Sequence, residues 1–194
     1  MLQWLKNIWQ IIINPRIAFS RIVADGDLEG SMFRAFIYGM LGGALVLGIR
    51  LLGGATLTLS SVFLQLIVVP VIAVALLFLL GGVMMLITEI SGGQRDWEIA
   101  VAGLASVFFV YPIMLVLNAL AWNCTSLMTV SIVIDAYVLF LLYNIAVYCM
   151  KASRGRALAI CVILLIFLIT IYATDYRMGW LMLKNSGAAL KCII

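Results

Sequence analysis

The chain has 194 residues, of which 66% are hydrophobic and only 10% charged. A soluble domain is roughly half apolar and about a quarter charged, so a mean hydropathy of +1.23 puts most of this chain in hydrocarbon. The net charge of +4 comes from Lys and Arg scattered at the ends of apolar runs, which suits anionic lipid and orientation in a bilayer and is no nucleic-acid footprint.

The opening, MLQWLKNIWQIIIN, has Lys6 inside its apolar stretch and Asn14-Pro15-Arg16 where a cleavage site would need small residues, so it is read as retained. Trp4, Leu5, Ile8, Trp9 and Ile12 recur at helical spacing among polar residues, which predicts an interfacial helix with tryptophans at headgroup depth. Asn14-Pro15 starts a second short helix, with a cap followed by a proline at the first helical position. Asp25-Gly26-Asp27 ends it by turn chemistry. Residues 1–34 thus form a pair of interfacial amphipathic helices.

Five apolar runs follow, each long enough to cross a bilayer at about 20 residues per span. The first covers 35–54 and carries Gly39 and Gly43 at four-residue spacing, a small-residue face on which a helix packs closely. Arg50 near its far end snorkels to the interface. The second covers 61–87 with a kink at Pro70, and Glu89 and Ser91-Gly92-Gly93 end it. The third covers 99–120 with a kink at Pro112. The fourth covers 130–150 and holds Asp135 and Asn144, and the fifth covers 157–174. Residues 176–194 form a short tail that Lys184 and Lys191 prevent from being a sixth span. The fold class is an all-α integral membrane protein, a bundle of five transmembrane helices preceded by short interfacial helices.

Lys and Arg counts set the orientation. With the N-terminus in the cytoplasm, that side holds Lys6, Arg16, Arg21, Arg34, Arg95, Lys151, Arg154 and Arg156, against Arg50, Arg177, Lys184 and Lys191 outside. Residues 121–129 carry no charge while 151–156 carry three cations, so the N-terminus is placed inside and the C-terminus outside the inner membrane.

The absence of histidine removes Ser-His and Cys-His pairs, the HExxH zinc site and histidine proton relays. The four cysteines match no metal spacing, and no cofactor is implied. With Cys124 and Cys192 both outside, a disulfide between them is one hypothesis, and free thiols are the other. Glu89 pairs with Arg95, gates a polar cavity, or is a solvated helix-end carboxylate. Asp135 binds a cation or proton, pairs with Arg50, or sits among headgroups. Asn144 hydrogen-bonds between helices. Arg16, Arg21, Lys151, Arg154 and Arg156 are possible contacts for anionic lipid, a role the positive-inside rule also accounts for.

Asn14-Pro15-Arg16 with Phe19 and Ile22 resembles the opening of bacterial Yip1-domain proteins. Gly92-Gly93, then Trp97, Ala100 and Tyr111-Pro112, resembles that family's double-glycine loop and proline-bearing helix. Tyr137 through Tyr148, with Ser153 and Arg156-Ala157, resembles its fourth span and following loop. The resemblance covers roughly residues 10–175 and implies an inner-membrane protein rather than a defined activity. Eukaryotic members are associated with Rab GTPases through a long cytoplasmic segment, and the short stretch before the first span here has no evident room for it. The function read from the sequence is a non-enzymatic membrane-organising, scaffold or regulatory protein, partnered by the lipid bilayer and by another membrane protein or a second copy through the Gly39–Gly43 face. The alternative is a small ion or solute transporter, channel or lipid-handling protein using Asp135 or Glu89.

Overall fold

The computed structural model describes the backbone of residues 2–22, 27–54, 56–121 and 125–186, and the side chains of 8–20, 27–54, 56–120 and 130–170. Every regular element among them is helical. In chain order these are α1 (Leu2–Ile13), α2 (Pro15–Ile22), α3 (Leu28–Leu52), α4 (Leu59–Ile90), α5 (Trp97–Val107), α6 (Val110–Ala121), α7 (Thr125–Asn144) and α8 (Arg154–Ser186). Helix α7 runs on through a π-turn at Ile145–Cys149.

Three stretches are long and apolar enough to cross a membrane: α3, α4 and Val130–Cys149. A fourth crossing results if α5 and α6, bent by 51° at their junction, form one broken span. The exposed apolar side chains fit this reading. Phe33, Phe36, Ile37, Leu41 and Leu45 all point outward from α3, a surface no soluble monomer presents.

The helix starts follow local rules. Asp27 caps α3, its carboxylate accepting from the Glu29 and Gly30 N–H groups at 3.1 Å each, so the helix begins seven residues before the expected 35. Thr58 and Ser61 form a reciprocal capping box that starts α4 at Leu59. Asp96 caps α5 through the Ile99 N–H at 3.1 Å. Helix α8 contains the expected 157–174 run but continues to Ser186, well into the stretch expected to be a tail.

The two prolines act differently. Buried positions along α4 are Gln65, Pro70, Ala73, Leu77, Gly81, Met84 and Thr88. The steps are three or four residues, except for a step of five between Gln65 and Pro70. That extra residue is the π-turn Leu64–Val68, in which the Val69 N–H donates to the Leu64 carbonyl five residues back. Pro70 is therefore accommodated by a widened turn, and α4 remains one helix. Pro112 instead breaks its span. Its ring displaces the carbonyl four residues earlier, and Phe108 is where α5 ends, its carbonyl accepting from the Tyr111 N–H at 3.0 Å.

Helix α5 is the centre of the bundle, with residues 100–107 all buried. Helices α3, α4 and the end of α7 surround it, α6 packs on α3 and α7, and α8 lies against α7. The N-terminal pair is docked to this assembly rather than lying apart on the membrane, because Ile11, Ala18 and Phe19 are buried against it.

Candidate functional site

Two places concentrate unusual geometry. The first is a glycine seam on α3. A Cβ on Gly39 would lie 2.5 Å from the Pro70 Cα, and one on Gly42 would lie 3.1 Å from the Pro112 Cα. A Cβ on Gly43 would overlap the Gln65 carbonyl oxygen. That carbonyl has no helical donor. Its α-helical partner, Val69, donates to Leu64, and Pro70, next in the π register, has no N–H. The Gly43 Cα lies against it, a close approach that supplies a weak Cα–H contact in place of the missing N–H. Both proline-disturbed helices thus meet α3 where it lacks side chains. Gly39 and Gly43 face α4 inside the chain, so this face is not open to a second copy.

The second place is the end of the bundle where α4 turns into α5 and α7 into α8. Helix α4 closes with a Schellman motif. Gly93 N–H donates to the Thr88 carbonyl at 2.8 Å and Gly92 N–H to Glu89 at 3.1 Å, with Gly92 at φ +72°. The turn is tied to the α7–α8 loop through backbone bonds, Gln94 N–H to the Met150 carbonyl at 2.7 Å and Ser153 N–H to the Ser91 carbonyl at 3.1 Å. A Cβ on Gly93 would stand 2.7 Å from the Met150 carbonyl and 3.0 Å from the Ala152 Cα. The second glycine is thus needed for contact as the first is for conformation. Beneath them Thr88 is buried, its hydroxyl bonding the Met84 and Met85 carbonyls and lying 3.4 Å from the Met150 sulfur. Ser91 is buried with its hydroxyl unpartnered.

Helix α2 joins this end. Phe19 is fully buried and its carbonyl accepts from the Cys149 thiol at 3.4 Å, while the Arg16 guanidinium lies 5.6 Å from the centre of the Tyr148 ring. Nearby, Arg156 reaches the turn so that a Cβ on Gly92 would sit 3.4 Å from its Nη1. Lys151 has φ 54°, a left-handed backbone rare for a residue with a side chain.

The residues singled out from the sequence are distributed as follows. Glu89 pairs with Arg95 at 3.5 Å, and both are more than half exposed. A pair so exposed contributes about 0–1 kcal/mol. Asn144 is buried, but its amide donates to the Phe140 carbonyl at 2.7 Å within its own helix rather than to a neighbouring one. Asp135 is half-buried on α7, and Arg50 is exposed in the last turn of α3. Arg16, Lys151, Arg154 and Arg156 are exposed at the α2/α7–α8 end. The Arg21 side chain, Cys124 and Cys192 lie outside the described residues, and with them the suggested disulfide.

Sequence reasoning missed Gly42, Gln65, Ser91 and the Arg16–Tyr148 pair. Gly42 is legible as the neighbour of Gly43, whereas the π-turn at Gln65 shows only as a five-residue step in burial, not in hydropathy. The other two depend on contacts far apart in sequence. Among the described residues no group of three or more His, Cys, Asp or Glu could hold a metal. No family model matches the chain, and neither the curated proteins nor the solved structures contain a match.

Proposed function

We propose that this chain is a five-span inner-membrane protein of Yip1-like type, N-terminus in the cytoplasm and C-terminus outside, that organises or regulates other membrane components without catalysing a reaction. The observation that carries this reading is the α3 seam. Where a transporter would place a polar path between broken helices, Gly39, Gly42 and Gly43 bring α3 against Pro70, Pro112 and Gln65 backbone to backbone. In this reading α8 is the fifth span, and α1 and α2 are interfacial, with exposed Trp9, Ile13 and Ile17 toward lipid and Ile11, Ala18 and Phe19 toward the bundle.

One observation favours the rival reading of a small transporter, channel or lipid-handling protein: the 51° break between α5 and α6, the kind of discontinuity on which transporters build sites. Flux across proteoliposomes separates the two. The scaffold reading predicts no movement of protons, common ions or labelled lipid by wild type, Asp135→Asn or Glu89→Gln. Flux that either substitution abolishes would assign that carboxylate to a transport path and overturn the reading. Partner capture from native membranes then tests the scaffold role, including a second copy meeting the chain elsewhere than on the glycine seam.

A further inference from the structure

We infer that Arg16, Tyr148 and the loop Lys151–Arg156 together form a binding site for the phosphodiester of an anionic lipid headgroup, completed only when α2 is docked. Arg95 is compensated by Glu89, but among the described residues no carboxylate pairs with Arg16, Lys151, Arg154 or Arg156. The segment from 150 to 170 contains three of these cations and no acid. A run of exposed cations beside a span is ordinarily explained by orientation alone. Here Arg16 and Arg156 lie against neighbouring groups and Lys151 sits on a constrained backbone, which orientation does not require.

Arg16 rests over the Tyr148 ring, and α2 carrying it is anchored by buried Phe19 against the π-turn of α7. Lys151 occupies a left-handed backbone position where glycine would be less strained, so a cation is kept there against local preference. Arg156 lies by the Gly92 turn, and that turn is bonded to the loop through Ser91 and Ser153. Cations held in place lose less freedom on binding a phosphate than free surface side chains do. Guanidinium groups also suit the paired oxygens of a phosphodiester. A lipid is favoured over a soluble anion because exposed Ile17 and Trp9 of the N-terminal helices would flank the acyl chains.

The inference rests on the membrane reading, though not on the scaffold role. The test uses the full chain in detergent, with native mass spectrometry of retained phosphatidylglycerol and phosphatidylcholine. Wild type is expected to retain phosphatidylglycerol about tenfold better, and Lys151→Gln/Arg154→Gln/Arg156→Gln to lose that preference. Arg16→Gln and Tyr148→Leu are each expected to weaken it about fivefold, while Tyr148→Phe, which keeps the ring, retains it. Arg50→Gln, at the far end of α3, is the charge control and should change nothing. Equal retention of both lipids overturns the inference, as does a loss with Arg50→Gln matching that with Arg16→Gln, or Tyr148→Leu behaving as wild type. Displacement by low-millimolar inorganic phosphate would assign the site to a free anion and overturn the lipid assignment. Carbonate extraction of the whole protein from native membranes would instead defeat the membrane reading itself.

Discussion

At Gly43 a single methyl group would overlap the Gln65 carbonyl, and that carbonyl belongs to a backbone fixed by Pro70. Gly43→Ala is therefore expected to cost about 3 kcal/mol or more, because neither partner is a side chain that can rotate away. Gly48, on the same helix with nothing near it, is the control, and Gly48→Ala should be neutral or slightly stabilising in a denaturation series. Gly92→Ala should cost about 1–2 kcal/mol, the left-handed penalty at φ +72°. Ser91→Ala is predicted to move the other way. Removing a buried hydroxyl without a partner should raise stability by about 1 kcal/mol in the same series. A loss of that size would mean the hydroxyl has a partner. Of these positions the sequence exposes Gly43 and Gly92 through spacing and turn chemistry. It hides Ser91, whose isolation depends on the α7–α8 loop folding over it.

The elements show how far a proline can be read in advance. Both Pro70 and Pro112 were legible as disturbances, since each lacks a donor and crowds the preceding turn. The form of the disturbance was not legible, because it depends on the neighbour. On α4 the extra residue of a π-turn keeps one apolar stripe facing the core, whereas α5 and α6 separate and bend by 51°. Three of the apolar runs lie in helices long and apolar enough to cross a membrane, and a fourth lies in the bent pair α5–α6. Their ends moved wherever a cap lay outside the run, as at Asp27 and Thr58. The N-terminal pair is readable as amphipathic without its docking, in which Phe19 is the largest buried side chain beside Ile11 and Ala18. Phe19→Ala should release α2 at a cost of about 3 kcal/mol. Limited proteolysis should then cut within the first 30 or so residues (an approximate boundary set by the α3 start) while the apolar helices stay protected. Unchanged protection of α2 would show that it is held by something other than this contact.

For the whole molecule, composition alone placed the chain in a bilayer, and the exposed apolar surface of α3 and α4 agrees. The number of crossings rests on lengths. At about 1.5 Å per residue a span needs roughly 20 residues. The 11 residues of α5 cannot cross alone, and the proposed reading counts α5 and α6 as one broken span. In the proposed five-span reading α8, 33 residues long, is the fifth crossing. Fold class was legible because burial and hydropathy act along the whole chain. The end where α4 meets α5 and α7 meets α8 was legible only as scattered charges, because what binds them into one place is a set of backbone bonds between distant loops.

The crossing number decides the account, since four spans put both termini on one side and five put them on opposite sides. The most direct test is a dual-reporter topology measurement in a bacterial host, with a fluorescent protein and a periplasm-dependent phosphatase fused in turn to each terminus. The account predicts fluorescence only from the N-terminal fusion and phosphatase activity only from the C-terminal one. Fluorescence from both fusions would leave α8 on the cytoplasmic side and contradict the five-span bundle.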